Sequence, residues 1–253
     1  MKNQTLITGD ADRPPVRSGY ATIDYMGAYV GAFGVVTALY NRDHRGGTGQ
    51  VIDLALYEPG FRASEDALLA YSADGRVRER MGNTNPKVVP AADYDTADGR
   101  RLSIHAGTEP LLRRLSKLMG RPALCDEPDF ATHAARVRNQ AALYALIAAW
   151  AASLPLATAM AQLVAADVPA SPLMSIADIA ADPHFRERGT IVPIEDDEHG
   201  SLLMTAPIPR MSETPGTVRS LGPVLGSGNQ AVLGGMLGMS DAEIATLRDA
   251  KVI

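Results

Sequence analysis

Between Met26 and Tyr40 two residue patterns share one stretch of chain. The larger apolar residues Met26, Tyr29, Val30, Phe33, Val36, Leu39 and Tyr40 recur at helical steps, the pattern of an α-helix with an apolar face. That face is expected to be packed. The small residues Gly27, Gly31, Gly34 and Ala38 recur at similar steps, although glycine in a helix interior costs about 1 kcal/mol relative to alanine. A helix that carries this cost is expected to have another backbone close to its glycine face.

The rest of the chain supplies candidates for that neighbour. A basic, glycine-rich turn, Arg42 to Gln50, leads into VIDLALYE, which reads as a buried strand running into Glu58. After Pro59, FRASEDALLAYSADG reads as a second helix ending at a glycine, a common helix stop. The segment MGNTNPKVVPAADYDTADG, with Pro86 and Pro90, marks a boundary. Beyond it, the strand RRLSIHA, the helix PLLRRLSKLMG and the alanine-rich stretch from Gln140 to Ala166 predict a smaller α+β region. Ser175 to Asp182 is a further short helix, stopped by Asp182-Pro183. From Pro193 to Gly228 the chain is rich in Pro, Gly and Ser, and two helices follow, one from Gln230 and one in SDAEIATLRDA. Ser240 and Glu243 form a capping box for the last.

Composition narrows the functional classes. With 46% hydrophobic and 21% charged residues in 253, disorder and fibre are excluded. The formal net charge of −5, without a basic run, argues against nucleic-acid binding, which relies on clustered cations. The single cysteine, Cys125, placed in a polar loop, excludes a disulfide framework and fits a cytoplasmic location. The N-terminus has no signal-peptide h-region, and no stretch is expected to reach the roughly 18 apolar residues of a membrane span. The five histidines form no HxxxH or HExxH pair, so no metal is expected. The GGTGQ turn lacks the Lys-Ser/Thr of a phosphate-binding P-loop.

Asp24 stands directly before the glycine-faced helix, where N-caps fall. A cap there stabilises the helix by about 1 kcal/mol. The same helix terminus keeps a carboxylate ionised and aimed, ready to act as nucleophile or base. Spacing alone does not choose. Glu109, followed by Pro110, has a sufficient structural cause as the first acid of a helix.

Resemblance does choose. The run TGDADRPPVRSGYATIDYMGAYVGAFGVVTALYNRDHRGGTGQVIDLALYE carries Asp24, Gly27, Arg42, Gly47, Gly49, Gln50, Ile52, Asp53 and Glu58. Further on come Tyr94, Thr96, Asp98 and Gly99, then Arg136 and Asn139, then Asp182-Pro183 with Arg188-Gly189. Pro207-Ile208-Pro209, Thr214-Pro215, Leu225-Gly226 and MLGMSDAEIATLRDAKVI complete the set. In these identities and spacings the chain resembles the class III CoA-transferases, also called the L-carnitine dehydratase/bile acid-inducible protein F family.

The resemblance implies an α/β fold with a partial Rossmann-like large domain and a smaller α+β domain. Residues 1–85 would be a large-domain portion carrying the catalytic aspartate, 86–183 the small domain, and 184–253 the return segment with the C-terminal helices. It implies coenzyme A, as an acyl-CoA substrate, together with a carboxylic acid and without a metal. Asp24 would be the nucleophile of CoA transfer. In the family's α-methylacyl-CoA racemase branch the same aspartate works with a histidine, and Glu109 is a candidate to support that histidine. Family members carry a long segment ahead of the catalytic aspartate, whereas 23 residues precede Asp24. The chain is therefore expected to match the family's C-terminal portion and to act as a homodimer or with a separately encoded N-terminal half. A racemase and a catalytically silent truncated member are the alternatives.

Overall fold

The computed structural model describes residues 7–85, 87–196 and 198–253. Pro86, at the expected boundary, lies outside them. The chain divides into two compact units, one ending at Leu173 and the other beginning at Met174.

The first unit opens with the expected long helix, α1 (Thr22–His44), whose basic residues Arg42 and His44 in the last turn suit the negative end of its dipole. Its glycine face is approached by side chains, where a backbone was expected. A Cβ added at Gly27, Gly31 or Gly34 would stand 3.0, 3.5 and 3.6 Å from Leu56, Leu54 and Ile52 respectively. The large apolar face, expected to be packed, is open: Phe33 is 74% and Val36 65% exposed. Residues 50–55 belong to neither helix nor strand, and Val51 is 95% exposed. Among the described residues no strand pairs with them, so the expected buried strand lacks the ladder partner that defines one. Glu58 belongs to α2 (Tyr57–Arg62) and accepts a hydrogen bond from the Ala55 N–H at 2.8 Å.

The second expected helix is broken at Glu65, whose φ of 57° lies in the left-handed region that no helix interior accepts. It resumes as α3 (Ala67–Asp74) and ends at Gly75, φ 76°, a left-handed stop that glycine adopts freely. By length and composition α1 could cross a membrane, contrary to the expectation that no segment would. The packing of its glycine face on residues 52–56 gives it a protein neighbour on that side.

From residue 87 onward the first unit closes around a core. Strands β1 (Ala91–Asp95), β2 (Arg101–His105) and β3 (Ala170–Pro172) form an antiparallel sheet in that order. The register sets Ala92 against Ile104 and Tyr94 against Leu102, so these four share one face, and all are buried. Four helices cover it: α4 (Glu109–Leu118), α5 (His133–Arg138), α6 (Gln140–Ala152) and α7 (Leu156–Ala165). They bring Leu112, Leu115, Leu143, Ile147, Ala159 and Leu163 into the core, each with no exposed surface.

Two polar residues from the family-like motifs brace this region. Arg136, buried on α5, donates to the carbonyls of Val89 and Phe130, both at 3.1 Å. Asp98 accepts from the Thr96 hydroxyl at 2.6 Å and from the Leu156 N–H at 3.2 Å, joining the β1–β2 turn to the start of α7. Cys125 sits in a 3₁₀ turn (Leu124–Asp126) and packs into the core, 4% exposed. The polar-loop expectation failed because its neighbours Leu124 and Phe130 bury the turn.

The second unit holds α8 (Ile176–Ala181), α9 (Pro183–Glu187), the hairpin β4 (Ile191–Asp196) and β5 (Gly200–Thr205), a π-helical segment (Gln230–Met236) and α10 (Asp241–Asp249). Capping boxes at Ser175–Asp178 and Ser240–Glu243 start α8 and α10, the second as expected. Asp182 ends α8 and caps α9 through the His184 N–H at 2.7 Å. Ile244 of α10 is buried in this unit.

Candidate active site

Asp24 is the third residue of α1, inside its first turn. The N-cap position falls at Ala21, which offers no side-chain bond, so Asp24 does not cap the helix as its place in the sequence suggested. The helix begins three residues earlier because the Tyr25 N–H already donates to the Ala21 carbonyl at 3.2 Å. The Asp24 carboxylate is exposed and has no hydrogen-bond or ion-pair partner among the described residues. It stands at the positive end of a 23-residue helix, where a carboxylate is favoured, and is open to solvent.

It lines a cleft of about 580 Å³ walled by the loop before α1, the first turn of α1 and residues 63–65, with Arg78 at one side. The loop is fixed from a distance. Arg80 Nε donates to the Asp10 carbonyl at 3.0 Å, and the Gly82 N–H donates to the Gly9 carbonyl at 2.9 Å. The Val16 N–H closes the loop on the Thr8 carbonyl at 2.9 Å. Next to Arg17, Ser18 is tied to the start of α1, donating to the Tyr20 carbonyl at 3.1 Å and accepting from the Thr22 hydroxyl at 3.4 Å. Arg17 is thereby held on the cleft wall that also carries Asp24.

The two arginines of the cleft differ in state. Arg78 bonds Glu65 at 3.1 Å and Asp66 at 2.8 Å, and Lys87 bonds the same pair at 3.2 and 2.9 Å. The Lys87 ammonium beside them holds both carboxyls below the usual carboxylate range. Two cations and two anions cancel there. Arg17 has no carboxylate partner among the described residues, so its charge is free. Sequence reading singled out neither arginine. The distant segments that bring Arg17, Asp24, Ser64 and Arg78 together leave no local pattern to read.

Glu109 lies elsewhere. It starts α4 with Pro110 in the first turn, and its carboxylate pairs with Arg113 at 3.0 Å. Arg113 also bonds Asp126 at 2.9 Å, and these two acids hold its guanidinium firmly protonated. Arg114 bonds Asp167. Glu109 is not among the residues that line the Asp24 cleft, and no histidine is. Among the described residues, no group of three or more His, Cys, Asp or Glu could hold a metal ion.

Comparison with known proteins identifies the family. The sequence pattern of CoA-transferase family III matches residues 3–229. Succinyl-CoA--D-citramalate CoA-transferase of Chloroflexus aurantiacus is 38% identical over 247 residues, 98% of this chain and 61% of that protein. The succinyl-CoA--L-malate CoA-transferase beta subunit of the same organism is 38% identical over 250 residues, 98% of this chain and 62% of its own length. Among solved structures, a CAIB/BAIF family protein from Brucella suis superposes with a TM-score of 0.74 at 30% identity, covering 95% of this chain and 60% of that one. The chain thus spans about three fifths of the length of the relatives it matches. With a family pattern over nearly its whole length and a shared α/β fold, the chain belongs to CoA-transferase family III.

Proposed function

We propose that the protein transfers coenzyme A from an acyl-CoA thioester to a carboxylic acid, with Asp24 as the nucleophile. The observation that carries this reading is the Asp24 carboxylate itself: without a partner among the described residues, in the first turn of a helix, and lining an open cleft. The carboxylate oxygen attacks the thioester carbonyl, the C–S bond breaks, and CoA leaves as thiolate from a mixed aspartyl anhydride. The thiolate then attacks the aspartyl carbonyl, releasing the first acid and leaving an aspartyl-CoA thioester. The acceptor carboxylate and the released thiolate repeat the two steps in reverse order and regenerate Asp24. This is covalent catalysis by a carboxylate, and it needs neither a metal nor a general base. The names of the relatives support a short acid as substrate, since two of them act with succinyl-CoA.

The open apolar face of α1 and the unpaired residues 50–55 support activity in an assembly, with a second polypeptide or a second copy covering them. An alpha and a beta subunit exist for the related L-malate enzyme of Chloroflexus aurantiacus.

Hydroxylamine added during turnover should trap Asp24 as a hydroxamate, visible by peptide mass. Asp24→Asn should lower transfer on the order of 10⁴-fold. Transfer that survives in Asp24→Asn would remove the nucleophile assignment. Deuterium uptake at the α-carbon without any acceptor acid would move the protein to the racemase branch.

A further inference from the structure

We infer that Arg17 selects dicarboxylic acids, binding the carboxylate that does not react at Asp24. This inference rests on the reading of Asp24 as the site of CoA transfer. The two side chains line the same cleft of about 580 Å³, yet no ion pair joins them. Every other charged group on that wall is spoken for: Arg78 and Glu65 belong to the neutral quartet with Asp66 and Lys87. Arg17 is therefore the one cation of the cleft lining with no carboxylate partner among the described residues.

An acceptor acid brings its reacting carboxylate to the thioester at Asp24, and a monocarboxylate has nothing left for a second cation to hold. A short dicarboxylic acid does. Its distal carboxylate matches a guanidinium fork, which binds carboxylates through two parallel hydrogen bonds. The anchoring of the loop by Arg80, Gly82 and Ser18 means that Arg17 is presented from a fixed backbone. Part of the ordering cost is then met before substrate arrives.

Equilibrium binding to the full chain tests this without requiring turnover. Succinate and butyrate, of equal carbon count, are titrated into the wild type, Arg17→Gln and Arg17→Lys by calorimetry or ligand-observed NMR, with coenzyme A as a third probe. The wild type should prefer succinate by roughly 10–100-fold, the range of one charge-assisted pair. Arg17→Gln should abolish the preference while keeping the thermal unfolding profile, and Arg17→Lys should restore part of it. Equal affinity of the wild type for the two acids overturns the inference. So does a parallel loss of both in Arg17→Gln, which would put Arg17 on the reacting carboxylate. A loss of coenzyme A binding with succinate unaffected also overturns it, assigning Arg17 to a phosphate. If the preference holds but hydroxylamine traps nothing at Asp24, the transfer reading fails and the carboxylate site stands.

Discussion

Alanine aside, residues 7–85 and residues 87–173 are about equally rich in apolar side chains, yet they use them in opposite ways. In the later segment the sheet face of Ala92, Tyr94, Leu102 and Ile104 meets helices on a closed core, and every member of that core cluster lies between Val89 and Val168. In the earlier segment Tyr29, Phe33, Val36, Leu39 and Tyr40 point outward from α1. Only Ile23, Pro59, Gly60 and Ser64 are buried there among the described residues. The difference separates two kinds of stability. One segment has its hydrophobic stabilisation within its own fold; the other displays apolar surface that gains free energy only when something covers it.

The largest effect that would sharpen this contrast is a cavity in the closed core. Leu102→Ala, at a side chain with no exposed surface, should cost about 2–5 kcal/mol, read as a lowered urea midpoint. A loss below about 1 kcal/mol would mean the core relaxes around the gap and is less closed than its burial indicates. A second, smaller effect follows from Tyr94 in the same core, where burial pushes the phenol well above its ordinary range. The folded state then keeps a proton that the unfolded chain releases above about pH 10. Stability from this group is complete below that pH and falls as pH rises, by roughly 1.4 kcal/mol at pH 11. Tyr94→Phe should remove that part of the alkaline slope, and Tyr144, also pushed up by burial, should leave a weaker one. An unchanged slope would show that the Tyr94 hydroxyl meets water.

The smallest effect belongs to the open segment. Phe33→Ser, on the uncovered face of α1, should change the stability of the chain by less than about 0.5 kcal/mol while reducing self-association in light scattering. A cost comparable to that of Leu102→Ala would break the contrast, because it would mean that the face is already buried in solution.

How much of this was legible in the sequence follows the same division. Periodicity located α1, β2, α4 and the capping box at Ser240, since each depends on residues close in the chain. It misjudged what the faces of α1 meet. Gly27, Gly31 and Gly34 signal a close neighbour, but not that Ile52, Leu54 and Leu56 supply it with side chains. It read VIDLALYE as a strand because the residue types are right, although a strand is a property of two segments. The break at Glu65 depends on a single dihedral angle, and acidic residues give little warning of it. At the candidate site, Asp24 stood out through its resemblance to a family pattern, and its exact place in the first turn did not. Arg17 has no signature of its own: what distinguishes it is the missing partner, visible only when Arg78, Glu65, Asp66 and Lys87 are seen to satisfy one another.

The unpaired residues 50–55 have a consequence for how the cell must handle this protein. A segment that pairs with no strand among the described residues, beside an apolar helix face, is a template for any strand that arrives. Molecules made in excess of whatever covers this edge are exposed to wrong pairing and to the proteases that clear it. A surface that covered this edge as the chain is made would protect it from both, and its supply would then be part of the folding problem.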